Sequence, residues 1–229
     1  ADTKSGAIIF DGGSSSEDQV GRYRILPYMK YLGYQKIQIA VISHMDIDHY
    51  SGIKELLEMG KIKYLGLPEI PKDETMKKII GIAKKRGTTI FYLSRGRQIT
   101  TKDGSLKVLH PQKNSQMEKN AASLVMQRKI LGYRVLLTGD VEKEGEEELL
   151  SEELERADIL KAAHHGSKNS TSNEFLQKVQ PKQTVISCGK QNRYGHPHLE
   201  TIHRLQTYRT KIYRTDRSGA IIFFKRRDG

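Results

Sequence analysis

Three apolar runs in this 229-residue chain each end in side chains that bind metal ions. Residues 37–42 empty into Ser43-His44-Met45-Asp46-Ile47-Asp48-His49, residues 133–138 end in Gly139-Asp140, and residues 160–163 end in His164-His165-Gly166-Ser167. A short run of β-favouring apolar residues reads as a buried strand, and loops at the carboxyl ends of neighbouring strands converge. His and Asp are ordinary ligands for first-row divalent cations, and carboxylate oxygens also suit harder ions. The pattern constrains the fold: the strands must lie close enough, interleaved with helices, for their ends to share an ion. A lone Gly-Asp is a turn and a lone His pair a capped loop; three such ends together describe a site.

The remaining periodicity fits alternating strands and helices. Residues 7–10 read as a strand stopped by Asp11-Gly12-Gly13, a turn sequence. Helices are expected over 22–32, with Ile25, Tyr28, Met29 and Leu32 on one face, and over 75–85, with Met76, Ile79, Ile80 and Ala83 apolar and lysines opposite. A helix follows the ligand loop at 52–57, and another spans 142–150, acidic at its start as the helix dipole favours. Further strands are expected at 89–93, 106–110, 134–138, 159–163, 184–187, 211–213 and 220–224, with a polar loop at 112–119. No Pro/Gly/Ser-rich linker divides the chain, so residues 1–229 are expected to form a single domain. The hexapeptide Ser5-Gly6-Ala7-Ile8-Ile9-Phe10 recurs letter for letter from Ser218 to Phe223, and both copies read as a turn into a buried strand.

Composition narrows the function. No apolar run reaches the roughly 18 residues of a membrane span, and the start does not read as a signal peptide. The single cysteine, Cys188, excludes an intramolecular disulfide and an all-thiolate zinc site. The formal net charge of +12, from 39 Lys+Arg against 27 Asp+Glu, favours polyanionic partners such as nucleic acid, anionic lipid or phosphorylated substrates. Basic residues gather at Lys77-Lys78, Lys84-Lys85-Arg86, Arg95-Gly96-Arg97 and Lys225-Arg226-Arg227. Such a surface suits a DNA backbone better than a neutral lactam or lactone.

Six motifs stand in a fixed order along the chain: Asp-Gly-Gly after the first strand, S-H-M-D-I-D-H, N-A-A-S-L-V from Asn120 to Val125, L-L-T-G-D, L-K-A-A-H-H-G-S, and N-R-Y-G-H-P-H. In these the chain resembles metallo-β-lactamase-fold hydrolases, and more narrowly the soluble C-terminal domain of ComEC-type DNA-uptake proteins. The resemblance implies an α/β fold of the αββα type, with two mixed β-sheets flanked by helices and two metals at one edge. It puts His44, Asp46 and Asp140 on one metal and Asp48, His49, Asp140 and His164 on the other. The wider family has His where Asp46 stands and a further His where this chain offers Asn120. The added oxygen ligands favour Mn²⁺ over Zn²⁺, with Mg²⁺ also suited. The Asp-Val-Gly-Gln-Gly-Asp strand with which such domains begin is absent from this sequence.

Two cations about 4 Å apart acidify a shared water and stabilise a phosphorane-like transition state. Asp48 is the expected orienter of that water, and His196 or His165 the group that protonates the leaving oxygen or holds a phosphate. Asn120, Ser123, Ser167, Lys168 and Asn192 are expected phosphate or scaffold contacts. The resemblance implies a nuclease that degrades one strand of incoming DNA while the other passes a channel elsewhere in the same full-length protein. That protein would lie in a bacterial plasma membrane, with this domain on its outer face. Two other readings use the same residues: a stand-alone hydrolase of small phosphodiesters or lactones, and a catalytically weak DNA-binding module of an uptake channel.

Overall fold

A computed structural model of the chain describes residues 6–118 and 120–224. Its first sheet has four parallel strands in the order β1 (Ile8–Phe10), β2 (Ile37–Val41), β3 (Ile62–Pro68) and β4 (Thr89–Leu93). Parallel neighbours need crossovers. These are a π-helical turn, Gly21–Ile25, running into α1 (Leu26–Tyr31), then α2 (Ile47–Glu58) and α3 (Glu74–Lys85).

The second sheet begins as an antiparallel meander of β5 (Gln98–Thr101), β6 (Gly104–His110), β7 (Val125–Ile130) and β8 (Tyr133–Leu137). It continues with three parallel strands, β9 (Ile159–Lys161), β10 (Gln183–Ile186) and β11 (Lys211–Arg214). Their connections carry α4 (Lys143–Leu150), α5 (Asn173–Val179) and α6 (Leu199–Thr207), and a short α7 (Thr215–Ser218) follows β11. Only this second sheet is mixed. The first, expected to be mixed as well, is wholly parallel among the described residues, because a helix returns the chain between each pair of strands.

Alternation along the strands sets the layers. On β2, Ile39 and Val41 face the other sheet, where they meet Leu106, Val108, Leu124 and Met126. Ala40 and Ile42 face the other way and pack with Ile53, Leu56, Leu57 and Ile79 of α2 and α3. Outside the second sheet, Leu136 and Leu160 are covered by Leu149, Phe175, Leu176 and Leu205 from α4, α5 and α6. The result is helix, sheet, sheet, helix. Among the described residues no helix is long and apolar enough to cross a membrane.

Several elements depart from the sequence expectation. β3 contains Gly66 and ends in Pro68, both strand breakers by habit. A Cβ at Gly66 would lie 3.0 Å from Leu93 Cδ1, so the glycine is required by close packing on β4. β7 hides behind the polar pair Gln127-Arg128, and α5 and α6 lie in stretches the periodicity left unassigned. The strand expected at 159–163 stops at Lys161, and Ala163–Gly166 forms a 3₁₀ turn. The strand expected at 220–224 is absent: the chain has passed β11, the last strand of its sheet, and Ile222 and Phe224 are 61% and 75% exposed. The repeated hexapeptide therefore meets two fates, since its first copy pairs with β2 along Ile8–Phe10. Ser5 and Lys225-Arg226-Arg227 lie outside the described residues.

Candidate metal centre

The ligand-type residues gather at one end of the sandwich, where β1, β2, β8, β9 and β10 all finish. Asp11 follows β1, and Ser43 to Asp46 link β2 to α2, whose first turn carries Asp48 and His49. Asp140 follows β8, His164 and His165 follow β9, and His196 lies on the loop after β10. Glycine lets the first loop lie against α2. The Gly12 N–H donates to the His49 carbonyl at 2.9 Å, and a Cβ on Gly13 would come within 2.5 Å of the Ile47 carbonyl oxygen.

Hydrogen bonds behind the rings decide what the rings present. His165 Nδ1 lies 2.6 Å from the Ser187 carbonyl oxygen, which can only accept, so Nδ1 carries the proton. His49 Nδ1 faces Asp11 Oδ2 at 2.8 Å. Asp11 is itself fixed by the Ser43 N–H and hydroxyl, each donating at 2.7 Å. With its hydroxyl proton given to Asp11, Ser43 Oγ accepts from His44 Nδ1 at 3.1 Å. As neutral imidazoles, the form a metal ligand takes, all three rings would carry their lone pair on Nε2, facing the site.

Those lone pairs meet carboxylates. His165 Nε2 is 3.2 Å from His49 Nε2, 3.1 Å from Asp140 Oδ2 and 3.2 Å from Asp48 Oδ2. His49 Nε2 is also 3.2 Å from Asp140 Oδ2. Acceptors packed this closely need positive charge between them, supplied by protons or by a metal ion. Burial disfavours a charged His49, yet Asp11 and Asp140 raise its pKa to about 10. Burial likewise opposes protonation of His165, but Asp140 and Asp48 raise it to about 9. Burial works against ionisation of Asp140, and His49 and Lys161 nevertheless hold it well below the usual range. Asp48 is brought down to about 2, against its burial, by His165 and His49.

A divalent cation fits this donor set. Ligand atoms of His44, His49 and Asp140 lie within 4.8 Å of one another, as do those of Asp48, His49 and His165. His44 is 1% exposed, and its Nε2 has no hydrogen-bond partner; nor has Asp140 Oδ1. A buried polar atom left unpaired costs about 1–3 kcal/mol. Both residues belong to one of the two ligand groups, so a cation held there would satisfy them. Asp46 Oδ2 stands 3.6 Å from His44 Nε2, on a side chain 40% exposed.

The expected residues do not all face the centre. The resemblance put His164 among the ligands and His165 beside them; of the two, His165 brings its Nε2 nearer to the Asp140 and Asp48 carboxylates. His164 turns Nδ1 to Glu142 at 2.9 Å, and its Nε2 is 3.9 Å from Asp140 Oδ2. Consecutive left-handed backbone at His164 (φ 45°) and His165 (φ 53°) sets their rings 72° apart. Ser123 is buried, and its Oγ accepts the Asp140 N–H at 3.2 Å, so it positions Asp140 and is not open to substrate. The Ser167 hydroxyl is buried and accepts the Asn169 N–H. Asn192 is spent on its own loop: Oδ1 accepts the His196 N–H, and Nδ2 donates to the Gly189 and His196 carbonyls. Asn120 lies half-buried in the turn before β7, where its carbonyl accepts the Ser123 N–H. Lys168 remains exposed. Burial and the neighbouring His164, His198 and His165 push His196 down to about 4, which favours a neutral ring near pH 7.

Asp11, Glu142 and Lys161 were not expected to serve the site. The Lys161 ammonium donates to the Gly139 carbonyl at 2.8 Å and lies 3.6 Å from Asp140 Oδ1. The one available signal was an Asp directly past a strand end, which reads equally as an ordinary turn.

Comparison with known proteins agrees with this architecture. Residues 1–190 match the Metallo-beta-lactamase superfamily. The chain is 38% identical over 216 residues to ComE operon protein 3 of Bacillus subtilis (strain 168), covering 92% of this chain and 27% of that protein. It is 30% identical to Competence protein ComA of Neisseria gonorrhoeae, covering 97% and 30% respectively. The chain thus spans less than a third of the length of these relatives. Among solved structures, the metallo-beta-lactamase fold protein YhfI from Bacillus subtilis superposes with a TM-score of 0.58 at 13% identity, covering 93% of this chain and 86% of that one. Sequence match and shared fold agree: the chain belongs to the metallo-β-lactamase superfamily.

Proposed function

We propose that this chain is a two-metal phosphodiesterase acting on DNA, the nuclease unit of a larger protein that takes DNA across a membrane. The observation that carries the reading is the convergence of the His49 and His165 Nε2 atoms with the Asp48 and Asp140 carboxylates, a cluster that needs positive charge at its centre. His44, Asp46 and Asp140 would hold one ion, and Asp48, His49, His165 and Asp140 the other. Carboxylate oxygens in both sets favour Mn²⁺, with Mg²⁺ or Zn²⁺ as substitutes. When bound, such a pair supplies an acidified water and positive charge for the phosphate oxygens.

The chain's own groups do the rest. Asp48, ionised across the working range, can accept a hydrogen bond from the attacking water and orient it. Asp11 and the Ser187 carbonyl keep His49 and His165 in the tautomers that face the centre. His196, neutral, can hydrogen-bond a phosphate oxygen, while Lys168 offers an exposed cation nearby.

The names of the competence relatives and the net charge of +12 support DNA as the substrate. On this reading residues 1–229 form one domain on the outer face of a bacterial plasma membrane. A channel in the remainder of the same protein would take the intact strand. The test is cleavage of end-labelled single- and double-stranded DNA with Mn²⁺, Mg²⁺ and Zn²⁺ in turn, against a chelator and Asp48→Ala. Cleavage that needs metal and Asp48 supports the nuclease. DNA binding without cleavage under every metal overturns it in favour of a binding module. Turnover of a chromogenic phosphodiester alone would favour a small-molecule hydrolase.

A further inference from the structure

The loop joining β10 to α6 displays an aromatic ring that the core does not use. Tyr194 is 52% exposed. Its ring lies 25° from parallel to that of His196 at 5.8 Å, and the His196 ring lies 19° from parallel to that of His165 at 6.2 Å. The rings form a stair running outward from the candidate centre, with Tyr194 as its last step. The loop that holds it is fixed, since the Asn192 side chain ties Gly189 to both the N–H and the carbonyl of His196. Arg193, also exposed, has its guanidinium carbon 4.8 Å from the Tyr194 ring centre, and it donates to the Tyr194 hydroxyl at 2.6 Å. A tied loop that holds a half-exposed aromatic ring with a cation over it offers the parts that bind single-stranded nucleic acid: a base can take the guanidinium's place on the ring while the cation meets the backbone.

We propose that Tyr194 is a stacking platform for a nucleobase next to the scissile phosphate, and that Arg193 neutralises the adjoining phosphate. The proposal rests on the nuclease reading and narrows its substrate to a single strand or a frayed end. Bases inside a duplex already have both faces covered by their neighbours, so only an unpaired base can take the ring. Tyr194 is a positioning residue here; it selects the strand and leaves bond breaking to the residues beside the metals.

The test uses a single-stranded oligodeoxynucleotide in which one 2-aminopurine is moved position by position, with EDTA present so that nothing is cut. Stacking quenches its emission. Quenching at one position with the wild-type chain, kept by Tyr194→Phe and lost in Tyr194→Leu with roughly tenfold weaker binding, supports the platform. An abasic site at that position should then weaken the wild type and leave Tyr194→Leu unchanged. Undiminished quenching in Tyr194→Leu, or no quenched position with the wild type, overturns the proposal. These outcomes separate from those of the nuclease reading. A platform response with no cleavage under any metal sinks only the nuclease, and cleavage without a platform response sinks only this inference.

Discussion

His49 and His165 stand nitrogen to nitrogen, Nε2 to Nε2 at 3.2 Å, although each has its other ring nitrogen committed as a donor, to Asp11 and to the Ser187 carbonyl. Two lone pairs in that position repel unless a positive charge lies between them. The contact also distinguishes the two consecutive histidines after β9, since His164 has its Nδ1 engaged by Glu142 and stands farther from Asp140.

The two histidines should therefore differ in metal binding. His165→Ala is expected to lose at least tenfold in Mn²⁺ affinity by equilibrium dialysis, while His164→Ala stays within a few-fold of wild type. The reverse order would restore His164 as the ligand.

Asp11 touches no substrate in this reading, yet Asp11→Asn should weaken metal binding by about 10–100-fold. The amide has lost the charge that holds His49 Nδ1–H and can present an NH₂ to it instead. Calorimetric metal titration checks this, with circular dichroism to show that the fold survives. Unchanged affinity would reduce Asp11 to a turn residue.

Gly13→Ala should act on both stability and the site. The new methyl would meet the Ile47 carbonyl oxygen at 2.5 Å and Ser51 Oγ at 2.7 Å, both on the start of the helix that carries Asp48 and His49. Overpacking of this kind costs about 1–3 kcal/mol, readable as a lower midpoint in urea. Metal affinity should fall with it. Gly33→Ala has open space around the new methyl and serves as the comparison, although its φ of 84° carries a strain of its own.

Acid should unfold the chain partly through Asp158. Its Oδ2 accepts the Arg134 N–H at 2.9 Å, and its Oδ1 accepts from Lys182 at 2.8 Å. The Arg134 backbone bond, then Lys182, lowers its pKa from the usual 3.8. A carboxyl lower in the folded than in the unfolded state contributes stability that is whole above the unfolded value and drains away as pH falls through the folded one. Asp158→Asn should therefore melt lower than wild type near neutral pH, and the gap should close as pH drops below about 4. A gap independent of pH would assign the loss to the hydrogen bonds alone.

What could be read from the letters was the set of strand ends. β2, β4, β8 and β10 lie within a residue or two of expectation because apolar runs bounded by turn residues leave little choice. β7 was illegible because Gln127 and Arg128, 6% exposed each, are buried against the usual habit of their side chains. Spacing also could not order His164 and His165. Two left-handed residues in succession decide which ring turns inward, and no letter in His-His-Gly announces that conformation. In the letters Asp11 reads as a turn residue, since its partner His49 is 38 positions away and meets it only once β1 and β2 are paired.

The centre draws Asp11, His44 and His49 from the first sheet and its helices, and Asp140 and His165 from the second. His49 and His165 are 116 positions apart in the chain. An ion gripped by both is thus a rivet through the two layers, closing a very long loop at the end of the sandwich where the apolar seam gives out. Stripping it should let the layers breathe there first, so that amide exchange at the ends of β2 and β9 reports occupancy without any substrate.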